Sequence, residues 1–258
     1  YAHLGLQAEY LRLKSIQRFT EAYVAMQRLH NCGGGLATLQ HDDGGMGDAP
    51  GGRPLRIASL GGGPGFELVA VRVFAAEMMG EGAAPPDLVS LDLEASWRPH
   101  AEALGLSFNV WDVNDGAGLL KALPEGWERI DLAIISYVFY HYMSHECCYD
   151  WLAQSLRSGD IGAILIVSRF ESLAPQITAL EARGVRVTPL MVQPSFSSRR
   201  TDHRQLLLTA QHETPPPTPL PPAERLRIAF PNVPHEDGKH PSDRSYGEHS
   251  RAYMDAAA

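Results

Sequence analysis

Cysteine is scarce in this chain. Only Cys32, Cys147 and Cys148 occur in 258 residues, and two of them are adjacent. Adjacent cysteines rarely meet disulfide geometry, so a disulfide framework is excluded and a reducing compartment is expected. No apolar run is long enough to cross a bilayer, so no membrane association is expected. No H-x-x-H or C-x-x-C pair occurs, so no metal is expected. No G-x-x-x-x-G-K-[ST] occurs either, which argues against a P-loop. Basic residues are outnumbered, with 22 Lys and Arg against 30 Asp and Glu, a net charge of -8 and a pI of about 5.7. Such a chain is not built mainly to grip nucleic-acid phosphates. No secretory signal pattern stands at the start. Cytoplasm or nucleus is the expected location, or an organelle reached through a leader removed ahead of Tyr1.

What is present suits a soluble globular domain with extra chain around it: 44% hydrophobic and 20% charged residues. Residues 4–30 predict a helix, because Leu6, Tyr10, Leu13, Ile16, Phe19, Tyr23 and Met26 recur at spacings of three and four. Such a helix either packs on the core or forms a lid over a ligand site. Gly and Asp dominate the stretch that follows, which predicts a linker.

From Leu55 to Ala210 short apolar runs alternate with helical patterns. The strands read LRIASL, DLVSLDL, LSFNVWDV, IDLAIISYV, IGAILIVSR, VRVTPLMV and RQLLLTAQ. Alternation of this kind predicts a mostly parallel sheet covered by helices. The last two strands have no clear helix between them, so they are expected to pair antiparallel at one edge. Beyond Gln211 the chain turns Pro-rich, with HETPPPTPLPPAERL. The domain reading is a helical cap over 1–31, a Gly-rich linker over 32–54, an α/β domain over 55–211 and a Pro-rich tail over 212–258.

The chemistry gathers at the ends of successive strands. Between the first strand and its helix stand Gly61, Gly62, Gly63, Pro64 and Gly65. Glycines without a Cβ let a ligand approach the main chain at the start of a helix. In an open parallel sheet, ligands bind beyond the carboxyl ends of the strands where strand order reverses. Asp92 closes the second strand, where a carboxylate can accept from ribose hydroxyls. Asp112 closes the third, where it can accept from an adenine amino group.

The turn resembles the first motif of the class I S-adenosylmethionine-dependent methyltransferases, Gly-x-Gly-x-Gly, at Gly61, Gly63 and Gly65. A dinucleotide fingerprint fits less well, because Phe66 stands where its third glycine or alanine belongs. LVSLDLEAS, FNVWDVND, IDLAIISYVFYHY and LRSGDIGAILIVSR resemble the family's later motifs in order. The resemblance implies a Rossmann-like, doubly wound, seven-stranded sheet, mostly parallel with an antiparallel last strand. It implies S-adenosylmethionine as methyl donor, with Asp92 on the ribose, Leu93 beside the adenine, Asp112 at the adenine amino group and Val113 stacking. It places Ser136 and Tyr137 facing the cofactor. The family usually carries an acid two places before the first glycine; this chain has Ser59 there. That departure motivates a second expectation, a non-catalytic binding or scaffold protein on the same fold.

The family's acceptor site follows the fourth strand, here SYVFYHYMSHE. Tyr137, Tyr140, His141, His145 and Glu146 are candidates to contact or deprotonate the acceptor. His141 is the best base by its ordinary pKa. An Asn/Asp-Pro-Pro-aromatic motif is missing, and ECCYD lacks the Pro beside a nucleophilic Cys, so neither base-amine nor cytosine-C5 chemistry is favoured. The acceptor is a small molecule, a protein or an RNA. Arg199, Arg200, His203 and Arg204 in PSFSSRRTDHR could meet RNA phosphates, or form an ordinary solvated turn.

Overall fold

The alternating pattern folds into one sheet with helices on both faces. The computed structural model describes residues 3–31, 53–78, 84–140, 142–169, 173–191 and 203–211. Most of the Gly-rich linker, His141, Arg199, Arg200 and the Pro-rich tail lie outside the described residues. The elements run α1 (Leu4–Asn31), β1 (Arg56–Leu60), α2 (Phe66–Met78), β2 (Asp87–Asp92), α3 (Arg98–Ala103), β3 (Ser107–Val110), α4 (Leu119–Ala122) and β4 (Ile130–Ser136). Then follow α5 (Glu146–Ser158), β5 (Ile161–Val167), α6 (Ala174–Glu181), β6 (Val185–Pro189) and β7 (Gln205–Ala210).

The seven strands lie in the order β3-β2-β1-β4-β5-β7-β6. Strands β1 to β5 pair parallel, and β7 runs antiparallel to both β5 and β6. The expected final hairpin forms, with β7 inserted beside β5 and β6 left at the edge. The chain fills β1, β2 and β3 outward and then returns to place β4 on the other side of β1. Strand order therefore reverses at the β1/β4 crevice, which is where this class of sheet opens for a ligand.

Alternation along the strands sends side chains to two cores. Ala58, Leu60, Ala133 and Ile135 join Cys148, Leu152 and Leu156 of α5 on one face. Ile57, Leu132 and Ile134 join Leu68 and Phe74 of α2, and Ala25, Met26 and Leu29 of α1, on the other. Burial on both faces explains the apolar run over 132–135 in the middle of β4, all seven of whose residues are buried, with Asp131 and Ser136 as its polar ends.

Three elements differ from the sequence reading. The third strand ends at Val110, so Asp112 lies in the turn beyond it rather than closing it. There Asp112 accepts from the amide and side chain of Asn114, 2.9 and 3.0 Å away, an Asx turn that ends the pairing. The crossover from β3 to β4 contains α4, one short turn of helix that Gly116, Gly118 and Pro124 hide in the sequence. Finally, α1 packs through a rotated face. Leu6, Leu13 and Ile16 are exposed, whereas Gln7, Ala22, Ala25, Met26 and Leu29 are buried. The helix carries polar side chains toward the carboxyl ends of the strands, and this displaces the apolar seam.

Candidate functional site

The β1–α2 turn is fixed by main-chain bonds before any side chain is considered. The amides of Gly61 and Gly62 both donate to the Leu91 carbonyl of β2, at 2.7 and 3.3 Å, and the Gly65 amide donates back to Gly62 at 3.0 Å. Gly61, Gly63 and Gly65 all have positive φ, at 71°, 55° and 82°. That region is costly for a side chain, so the Gly-x-Gly-x-Gly spacing has a backbone cause.

The neighbouring strand β2 clamps the same turn. Asp92 Oδ2 accepts from the Gly63 amide at 2.8 Å, and Oδ1 accepts from the Glu94 amide at 2.9 Å. Ser90 donates to the Gly63 carbonyl at 2.9 Å. Burial pushes the Asp92 carboxyl up, while the amides of Glu94 and Gly63 pull it down. Two amides leave lone pairs on a carboxylate for a further donor such as a ribose hydroxyl. Leu93, next along, is 65% exposed beside it.

Ser59, Ser90 and Ser136 lie on the same face of three adjacent strands, within two residues of their carboxyl ends. Small hydroxylated residues there make a polar floor under the turn. Ser59 donates to Glu67, a residue of the first turn of α2 that is buried to 2% exposure. A Cβ on Gly62 would stand 2.9 Å from Glu67 Oε1, so the bare glycine makes room for this pair. Burial pushes the Glu67 carboxyl up, opposed first by the charge of Arg18 and then by the Ser59 hydroxyl.

Helix α1 supplies the other wall. Arg18 Nη1 donates to Ser136 Oγ at 2.6 Å, and its guanidinium lies 3.8 Å over the Tyr137 ring. Gln17 donates to the Tyr137 hydroxyl at 2.7 Å, and that hydroxyl donates to Glu21. Tyr137 has φ of 68°, the one positive value among the described non-glycine residues. Burial, then Glu21, drives its phenol pKa well up. Tyr10 packs on Trp97 at 5.3 Å, and Trp97 in turn lies beneath Gly63. The helix thus packs on the core through Ala25, Met26 and Leu29 and carries Gln17, Arg18 and Glu21 to the carboxyl end of β4.

The other predicted residues divide between the two faces. Val113 and Val138 adjoin Gly61, where a Cβ would meet them at 3.4 and 3.0 Å. Pro64 is buried in the turn. Tyr140 packs on the α5 side of the sheet, away from Tyr137. Glu146 pairs with Arg183, and His203 Nδ1 accepts from the Leu173 amide at 2.9 Å, so both serve local structure. Arg18, Glu21, Glu67 and Ser90 were absent from the sequence reading. Glu67 alone carried a signal, an acid one place after Phe66 in a helix that otherwise begins apolar.

The sheet order decides the fold. This is the class I methyltransferase fold. No protein-family model matches the sequence, and no curated protein matches it. Among solved structures, the citrinin polyketide synthase CMeT domain is similar at 14% identity and a TM-score of 0.42, over 62% of this chain and 47% of that one. This chain therefore spans less than half of that protein's length. A putative methyltransferase solved with the Haloferax volcanii Trm112 activator is similar at 16% identity and a TM-score of 0.44, over 79% of this chain and 97% of that one. The plantazolicin methyltransferase BpumL, solved with SAH, is similar at 13% identity and a TM-score of 0.44, over 81% and 90%. No helix among the described residues is long and apolar enough to cross a membrane.

Proposed function

We propose that this chain is an S-adenosylmethionine-dependent methyltransferase. One observation carries the reading: at the strand-order reversal, Asp92 from the end of β2 holds the Gly63 amide of a glycine turn whose φ angles exclude side chains. A carboxylate beside a bare backbone turn is the arrangement a nucleoside with an extended substituent requires. Gly61, Gly62, Gly63, Pro64 and Gly65 would line the donor, Asp92 would accept from the ribose, and Leu93, Asp112 and Val113 would border the adenine. Ser59 and Ser136 would face its far end.

The bound donor supplies an activated sulfonium methyl group, so the chain's own task is alignment and proton handling. Tyr137 is held as a neutral phenol that donates to Glu21. It would position an acceptor rather than ionise. Glu21 is the carboxylate at the far end of that hydrogen bond. His141 stays the proposed base, and Tyr140, on the α5 side of the sheet, an acceptor-side candidate. The acceptor is a small molecule, a protein or an RNA.

Calorimetric titration with S-adenosylmethionine and S-adenosylhomocysteine tests the reading. Both should bind the folded protein, and Asp92→Ala should weaken both. A folded wild-type chain that binds neither would overturn it.

A further inference from the structure

Two opposite charges face each other at this site without touching. Glu67 is a carboxyl buried to 2% exposure, and a neutral hydroxyl from Ser59 is its side-chain hydrogen-bond donor. Arg18 comes from a different helix and lies near enough to pull the Glu67 pKa down. No ion pair joins them among the described residues. Arg18 spends one nitrogen on Ser136 and its flat face on Tyr137. Its Nε is buried and has no hydrogen-bond partner among the described residues. A buried donor left unmade is costly, and a buried acid without a cation is more so.

Each group holds one serine of the floor: Glu67, next to Gly62, takes Ser59 of β1, and Arg18 takes Ser136 of the adjacent β4. A ligand carrying a carboxylate and an ammonium on one carbon would satisfy both at once. The carboxylate would take the free Nε, and the ammonium would sit against Glu67. We propose that Arg18 and Glu67 form a receptor for an α-amino-acid zwitterion, the amino-acid end of the methyl donor, and so supply from α1 and α2 what Ser59 does not supply from β1. This rests on the methyltransferase reading for the identity of the rest of the ligand. The receptor itself is defined by the pair.

Three ligands separate the parts: S-adenosylhomocysteine, 5′-methylthioadenosine, which lacks the amino and carboxyl groups, and free methionine, which lacks the nucleoside. Titrations use the full chain, with thermal melts to confirm folding. The wild type should bind S-adenosylhomocysteine more tightly than 5′-methylthioadenosine. Glu67→Gln and Arg18→Met should each weaken S-adenosylhomocysteine by about 10-fold or more. Each should leave 5′-methylthioadenosine within about 2-fold. Variants that bind S-adenosylhomocysteine as the wild type does overturn the pair. So does an equal loss of both nucleosides in folded Glu67→Gln, which would mean that the carboxyl only shapes the turn. Should Arg18→Met fail to fold, Arg18→Gln takes its place under the same criteria. A wild type that binds methionine but neither nucleoside sinks the methyltransferase reading and leaves the receptor standing. A wild type that binds none of the three sinks both.

Discussion

Ser59 of β1 donates its hydroxyl to the carboxyl of Glu67, across the turn from strand to helix. The position that the family resemblance fills with an acid thus holds a donor, and a buried acid stands eight residues on. Burial raises the Glu67 pKa above its ordinary 4.5. A raised folded-state pKa contributes stability that is complete below the unfolded value and is lost as pH rises through the folded one. Glu67→Gln removes the charge and keeps an acceptor for Ser59. Without ligand, the variant should exceed the wild type in stability by about 1 kcal/mol near pH 8, with the gap closing toward pH 5. Urea unfolding across that range measures it. A constant difference would refute a raised pKa. The same change that weakens ligand binding thus stabilises the empty fold, as expected where a site is held against its own stability.

Gly62 and Gly63 are adjacent but bare for different reasons. A Cβ on Gly62 would lie 2.7 Å from the Ser59 Cβ, whereas one on Gly63 would have 3.6 Å to Trp97 but a φ of 55°. Gly62→Ala should cost about 1–3 kcal/mol by overpacking. Gly63→Ala should cost about 1–2 kcal/mol by backbone strain. Adding Ser59→Gly should recover part of the first loss and none of the second. Double-mutant cycles by denaturant unfolding read this directly. Equal rescue of both would show that the two glycines share one cause.

The strands were legible because burial on both faces makes them apolar runs, and the final antiparallel pair because no helix separates its strands; the insertion of β7 between β5 and β6 was not, since nothing local marks it. Asp92 was legible as the last residue of such a run. Arg18 and Glu67 were not, for one physical reason. Residues that face a polar site from a helix break the apolar period that identifies a packed helix. Leu6, Leu13 and Ile16 therefore looked like the seam of α1 and are exposed, while Gln7 is buried in their place. Ser59 and Ser136 stood out only through the family resemblance, and Ser90 gave no signal, since each alone is an ordinary residue and only the register brings the three together.

Asp131 anchors the opposite end of the sheet. Its side chain is fully buried, accepts from both Arg53 terminal nitrogens at 2.7 Å and from the Arg56 amide at 2.8 Å. Burial raises its pKa, but Arg53, the Arg56 amide and Arg129 together bring it below the ordinary 3.8. A lowered carboxyl pKa gives stability present above the unfolded value and lost as pH falls through the folded one. Asp131→Ala strands two arginines, one of them mostly covered, and should cost about 3 kcal/mol at neutral pH. The penalty should shrink as pH falls below the ordinary 3.8. A variant as stable as the wild type at neutral pH would show that the cluster is solvated and dispensable.

Cys147 and Cys148 open α5 side by side, yet only one should react. A helix N-terminus ordinarily favours a thiolate. Cys148 is fully buried, however, with its thiol 3.5 Å from Asn114 Oδ1. Burial, then the neighbouring Cys147, pushes its pKa up to about 11. Near pH 8 about one such thiol in a thousand is ionised, before its lack of access is counted. Cys147 is exposed. Brief alkylation of the native protein with iodoacetamide, followed by peptide mass spectrometry, should label Cys147 and leave Cys148 unmodified until denaturant is added. Labelling of Cys148 at the rate of Cys147 would place it in a reactive, open environment. It would also support a nucleophilic role, which its burial between α5 and the sheet argues against.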